Sequence, residues 1–211
     1  MLLTNTPSAD ALRERLQGSI VLPTDEGYDA ARSGWNLAAD LRPAMVAHPA
    51  CAEDIRQIVC LARDTGLRVV VQGTGHNATP LGDLDDAILV RTGAMRGVHI
   101  DAERRVATVE AGAQWADVTA PASEHGLAAL SGSAPDVGVV GYIVGGGLGW
   151  LGRRYGLACE RVISFDVVTA DGRLVRADRT SEPDLFWALR GGAAPTPRSW
   201  AWRWSSSPSR P

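Results

Sequence analysis

Residues Gly73, Thr74, Gly75, His76 and Asn77 gather groups that could bind or react. An imidazole changes charge near neutral pH and can act as a base, a nucleophile or a hydrogen-bond donor. Glycines at 73 and 75 let the backbone adopt positive φ and turn successive N–H groups toward one point. Such a concave row of donors suits an anion, above all a phosphate or pyrophosphate. The spacing is not the dinucleotide fingerprint, because Ala78 stands where a third glycine belongs, and no lysine follows as in a P-loop. Taken alone, the turn reads better as a tight connection with a hydrogen-bonded histidine.

A second glycine cluster lies between Gly138 and Gly152, where seven of fifteen residues are glycine. An interior glycine costs a helix or strand about 0.5–1 kcal/mol relative to alanine. The segment therefore reads as backbone lying close against something large and flat, or turning N–H groups to a ligand, rather than as regular structure. Tyr142 is a candidate phenol within it, although packing beside the glycines explains it better. His48, His99 and His125 follow no catalytic spacing.

Together the stretches "VVVQGTGHN" and "SGSAPDVGVVGYIVGGGLGWLGRRYGLACERVISFDVVTADG" resemble the FAD-binding domain of flavin oxidases of the vanillyl-alcohol-oxidase and berberine-bridge-enzyme type (the PCMH-type domain). The resemblance covers residues 42–192 and rests on the run Gly-Gly-Gly-x-Gly-Trp-Leu, then Arg-Tyr-Gly-Leu, then a strand ending Val-Thr-Ala-Asp-Gly. It implies FAD as cofactor. Gly73, Thr74, Gly75 and Asn77 would face the pyrophosphate, and His76 stands where the family joins a histidine to the flavin 8α carbon. Gly132, Ser133, Val137, Gly138, Gly141, Gly146 and Gly147 would lie along the flavin and ribityl chain. Val162 and Val167 would flank the adenine side, or serve as core residues. Many relatives carry a second covalent link through a cysteine. Ala134 stands at that position and has no nucleophile, so a two-link flavin is not expected. Catalytic residues are not assigned, and no metal site is expected.

The surrounding elements give these loops their place. Residues 10–17 read as a short helix, 19–22 as an apolar run, and 24–33 as a helix capped by Thr24. Residues 35–42 are irregular, and 44–48 form a strand. The helix over 51–66 is the clearest, with Ile55, Ile58, Val59 and Ala62 at helical spacing and Gly66 as its stop. With a strand over 68–72 it makes a β-α-β unit, and the His76 loop then sits at the carboxyl end of a parallel strand, where open α/β sheets bind ligands. A strand over 87–91, a hairpin over 98–111, a helix over 114–125, a strand over 161–170 returning at 174–176, and a helix over 184–190 complete the reading. The expected fold is α+β: a two-lobed FAD-binding domain with a parallel β-α-β lobe and a mostly antiparallel lobe, and no substrate domain.

Composition bounds the rest. The chain has 211 residues, 45% of them hydrophobic, and a net charge of −3, as expected of a soluble globular protein. With no basic block, nucleic acid is not an expected partner. Charged residues in the first twenty positions argue against a signal peptide or membrane anchor. Cys51, Cys60 and Cys159 match no metal spacing and read as reduced thiols of a cytoplasmic protein.

The organisation expected is a helix and strand segment over 1–41, the FAD-binding domain over 42–192, and an aberrant, disordered tail over 193–211. That tail holds three of the seven tryptophans and no acid. Its alanine, proline, arginine, serine and tryptophan are what GC-rich DNA encodes out of frame. Residues 199–204, back-translated and read one nucleotide earlier, give Val-Val-Gly-Val-Ala-Val, a plausible strand. The expectation is a frameshift near Gly192, with truncation before a substrate domain; a genuine tryptophan-rich tail is the alternative.

By resemblance, the activity is hydride transfer from a C–H bond of a small-molecule substrate to flavin, with oxygen as acceptor. The alternatives are a non-catalytic flavin-binding remnant, a half-protein needing a partner chain, or a nucleotide-binding module unrelated to flavin.

Overall fold

A computed structural model of the chain describes residues 7–192 and 201–206. The chain divides into two compact units. Of the described residues, the first comprises 7–94 with 168–174 and 201, the second 95–167 with 175–192 and 202–206.

The first unit contains α1 (Pro7–Arg15), β1 (Ser19–Val21), α2 (Tyr28–Arg32), β2 (Met45–His48), α3 (Ala52–Thr65), β3 (Arg68–Gln72) and β4 (Ala87–Arg91). Its sheet runs in the order β1-β2-β4-β3. β4 is parallel to both β2 and β3, and β1 closes the edge antiparallel to β2. The β-α-β unit expected around α3 is present, with β4 inserted between its two strands. The four-residue buried run Ala87–Val90 explains this: a strand buried on both faces belongs in the centre of a parallel sheet. Alternation then sorts the core. Val69, Ile88 and Val90 join Leu12, Ile58 and Ala62 on one face, while Val70, Ala87 and Leu89 join Leu41 and Leu84 on the other.

Helix α3 follows its apolar spacing and ends at Gly66, whose φ of 74° closes the C-cap. Asp54, buried in its first turn, accepts hydrogen bonds from the N–H groups of Gln17, Gly18 and Ala50 at 2.8–3.0 Å, tying the end of α1 to the start of α3. The helix expected over 24–33 is shorter, because Gly27 takes φ 87° and the regular turn begins only at Tyr28.

The second unit contains β5 (Val98–Asp101), β6 (Val106–Glu110), α4 (Trp115–Glu124), α5 (Val139–Val144), α6 (Gly152–Tyr155), most of β7 (Val162–Val168) and of β8 (Leu174–Ala177), α7 (Pro183–Leu189) and most of β9 (Ala201–Ser206). Its sheet runs β5-β6-β9-β7-β8. β5 and β6 form the expected antiparallel hairpin, with Val98 opposite Val109. At the start of α4, the Asp117 carboxylate accepts from Gln114 N at 2.8 Å while Asp117 N donates to the Gln114 carbonyl at 3.0 Å, and Arg96 holds the Asp117 carboxylate at 2.7 Å. The chain as a whole is α+β, with a mixed sheet in one unit and a second five-stranded sheet in the other.

Two readings of the sequence differ here. The composition of the glycine cluster predicts irregular structure, but Val139, Val140 and Ile143 are buried at helical spacing and carry α5 across Gly141 before residues 145–147 break it. Composition predicts a disordered tail over 193–211, but residues 201–206 form β9, antiparallel to β6 with Trp204 opposite Val109. Tryptophan alternating with small or polar residues has the period and propensity of a strand. Residues 193–200 and 207–211 lie outside the described residues. Among the described residues, no helix is long and apolar enough to cross a membrane, and no group of three or more His, Cys, Asp or Glu residues could hold a metal ion.

Candidate functional site

Strand β3 delivers the chain into Gly73–Asn77 at its carboxyl end. Its last residue, Gln72, pairs in register with Arg91 at the end of β4, so both strands present their ends on one side of the sheet. The loop is half-buried from Gly73 to His76 and exposed at Asn77. Gly75 takes φ 87°, the left-handed conformation that turns the loop. A Cβ at Gly75 would stand 3.0 Å from the Cα of Gly34 and 2.8 Å from the Gln72 amide, so close approach of two chain segments also requires glycine here. Thr74 Oγ1 lies 2.8 Å from His76 Nδ1, and the Thr74 carbonyl accepts a hydrogen bond from Trp35 N at 2.9 Å. The Trp35 indole stacks on the His76 imidazole, with ring centroids 4.2 Å apart and planes 14° from parallel.

A buried glutamine and a half-buried arginine stand at the paired ends of β3 and β4, beside this loop. The Gln72 side chain is 4% exposed, and neither its oxygen nor its nitrogen has a hydrogen-bond partner among the described residues. Arg91 donates through Nη1 to the carbonyls of Ala31 and Ser33. Burial lowers its pKa from the usual guanidinium range. Neither residue was singled out from sequence. A glutamine and an arginine at corresponding ends of two apolar strands were the signal available.

In the second unit the cradle is built around an aromatic pair. Trp115, fully buried on α4, meets the Tyr142 ring edge-on at 5.4 Å. A Cβ at Gly132 would lie 3.0 Å from the Tyr142 ring, and one at Gly147 would lie 2.7 Å from both that ring and the Ala158 methyl. A Cβ at Gly149 would reach 2.1 Å from the Ser131 carbonyl oxygen. These three positions are therefore glycine because chain segments wrap the ring. Gly141 and Gly146 are different, with nothing within 4 Å of a Cβ, so their backbone faces open space. Gly138 bridges to Gln114, and the Val137 carbonyl accepts from Trp115 N, which joins this segment to α4. Ser133 is exposed.

Val162 is 3% exposed and Val167 is fully buried on β7, where an odd spacing places them on opposite faces of the strand. The Tyr142 hydroxyl is buried without a hydrogen-bond partner among the described residues, and burial raises its pKa. That is the environment of a packing residue. Cys159 is likewise a buried thiol with its pKa pushed up, chiefly by desolvation.

A large cofactor with a phosphate chain and a flat ring fits what each unit offers. The first has a positive-φ loop above an unpaired buried amide, and the second has glycine backbone facing open space. The comparisons agree. The "FAD binding domain" family matches residues 43–178. The chain is 34% identical over 176 residues to (R)-6-hydroxynicotine oxidase of Paenarthrobacter nicotinovorans, covering 83% of this chain and 38% of that protein. The solved 6-hydroxy-D-nicotine oxidase of Arthrobacter nicotinovorans superposes with a TM-score of 0.83 at 32% identity, covering 92% of this chain and 43% of that one. A glucooligosaccharide oxidase of Acremonium strictum, which carries a 6-S-cysteinyl, 8α-N1-histidyl FAD, superposes with a TM-score of 0.83 at 30% identity, covering 95% and 42%. The chain thus spans about two fifths of the length of these relatives. It belongs to the FAD-binding domain family of the vanillyl-alcohol-oxidase and berberine-bridge-enzyme type, and its cofactor is FAD.

Proposed function

We propose that this chain is the cofactor-binding part of an FAD-dependent oxidase acting on a small organic molecule, with oxygen as electron acceptor, and that His76 holds the flavin covalently. The observation that carries the reading is the Gly73–Asn77 loop, which presents an imidazole at the carboxyl end of a parallel strand above a buried, unpaired Gln72 amide. The N–H groups of residues 73–77 would hold the pyrophosphate, the open backbone at Gly141 and Gly146 would lie along the flavin, and His76 would bond to the 8α carbon. Ala134, where many relatives of this type carry a cysteine, limits the attachment to one bond.

When bound, FAD supplies the redox chemistry, accepting a hydride from a substrate C–H bond. The chain's own contribution is to bind and orient: glycines admit the cofactor to the backbone, and Trp115 and Tyr142 shape the second unit. Tyr142 is not assigned as the substrate base, because its hydroxyl is buried. Cys51, Cys60 and Cys159 are all unpaired, which supports the reading of a reducing, cytoplasmic setting.

The test is an absorbance spectrum of the purified chain before and after acid precipitation. Flavin bands that stay in the pellet, and leave it in His76→Ala, are the expected result. Bands that pass into the supernatant of the unsubstituted chain overturn the covalent attachment and leave FAD binding standing.

A second reading, a half-protein completed by a partner chain, is favoured by one feature. Leu148 and Trp150, at 74% and 82% exposure, lie three and five residues after the break in α5, and Trp187 is 76% exposed in the same unit. Large exposed apolar side chains that form one contiguous patch mark a surface that another element covers, and this reading takes these three as part of such a patch. Co-purification of a stoichiometric second polypeptide supports that reading, and a monodisperse monomer that turns over substrate excludes it.

A further inference from the structure

We infer that Gly34 and Trp35 form a clamp over the cofactor loop that sets the plane of the His76 ring, which makes Trp35 a positioning residue of the site. The inference rests on the reading of residues 73–77 as the FAD loop. Both clamp residues precede the part of the chain that the family match covers, which begins at residue 43. The segment around them read from sequence as irregular.

Four contacts build the clamp. Arg91 Nη1, from the end of β4, binds the Ala31 and Ser33 carbonyls and fixes the end of α2 from beneath. Gly34 then packs against Gly75 so closely that a Cβ on Gly34 would sit 3.3 Å from the Gly75 Cα and 3.0 Å from the Gln72 amide nitrogen. Trp35 N donates to the Thr74 carbonyl at 2.9 Å, which sets the height of the indole over the loop. One residue on, Asn36 Nδ2 donates to Thr79 Oγ1 at 3.1 Å and pins the far side of the turn.

The result is an indole stacked on an imidazole at 4.2 Å. Trp35 remains 61% exposed, so hydrophobic burial alone does not account for a tryptophan here. With Thr74 Oγ1 at Nδ1 and the indole across its face, His76 is held both in plane and about its ring axis. A nucleophile or cofactor anchor gains from a fixed orientation, because misplacement by about 1 Å costs about 100-fold in a positioned reaction.

The test is proton NMR of the purified 211-residue chain together with flavin retention. The chain has four histidines, so His76→Gln identifies the His76 ring resonances by their loss. The expected result is a His76 C2–H signal shifted upfield by the indole, which moves back toward the other three in Trp35→Ala and stays shifted in Trp35→Phe. Circular dichroism checks that both variants fold. FAD retention, read as the rate at which added FAD becomes acid-stable, is expected to fall by about three- to tenfold in Trp35→Ala, the factor that one aromatic pair represents, with Trp35→Phe restoring most of it. A His76 signal at the same position with and without Trp35 overturns the clamp, whatever the flavin does. Unchanged FAD retention in Trp35→Ala likewise overturns a role in the site. If the unsubstituted chain holds no acid-stable flavin but the His76 signal still follows Trp35, the clamp stands and only the covalent attachment fails.

Discussion

The two units use glycine for opposite purposes. In the first, Gly34 and Gly75 let two stretches of backbone touch, and the loop is held by polar and charged groups: Arg91 on two carbonyls, Thr74 on His76, Trp35 N on Thr74. In the second, Gly132, Gly147 and Gly149 let the chain wrap an aromatic ring, and Tyr142 against Trp115 supplies the support. A loop held by directional hydrogen bonds can orient one side chain, as it does His76. A loop held by ring packing presents a smooth backbone face. The difference teaches that counting glycines does not identify a binding surface; what each missing Cβ would strike does.

That contrast can be broken by substitution. The largest effect is expected at Gly147→Ala, where a φ of 74° and a Cβ 2.7 Å from both the Tyr142 ring and the Ala158 methyl combine backbone strain with overpacking. A loss of about 2–4 kcal/mol is expected, read from the urea midpoint. Gly75→Ala should cost about 1–3 kcal/mol, since its φ of 87° is strained and a Cβ would press on the Gln72 amide at 2.8 Å and the Gly34 Cα at 3.0 Å. Its FAD retention should fall further than its stability. Gly141→Ala should do the reverse of Gly147→Ala: a Cβ there meets nothing within 4 Å inside α5, so the apoprotein should gain up to about 1 kcal/mol while binding less FAD. A stable variant with undiminished FAD binding would show that Gly141 does not face the cofactor.

The smallest effect concerns pH and the polar character of the first unit. Burial, and then the neighbouring positive charge of Arg91, hold the His48 pKa below its ordinary 6.5. The folded state therefore takes up this proton less readily than the unfolded chain. His48 contributes fully above the unfolded value, and its contribution is lost as pH falls from 6.5 through the lowered folded pKa. His48→Gln should show a shallower fall of Tm below pH 6.5 than the unsubstituted chain. Equal slopes would show that His48 is not held neutral by its surroundings.

Much of this was legible without coordinates. The spacing of Ile55, Ile58, Val59 and Ala62 determined α3 and its buried face, and the apolar run Ala87–Val90 marked a strand. The two glycine-bearing stretches and His76 stood out by composition, because glycine is rarely placed inside regular elements without cause. Local pattern was enough for these, since helical and strand periods are properties of adjacent residues.

What the tertiary structure alone decided lies in contacts between residues distant in sequence. The position of β4 between β2 and β3, the pairing of β9 with β6, and the union of Trp35, Thr74, His76 and Arg91 at one strand end all join segments that no local period connects. The same holds for the glycines: Gly141 and Gly147 are identical letters six positions apart, one facing open space and the other pressed on a tyrosine ring. Sequence states that a Cβ is missing, and only the folded chain states what would have met it.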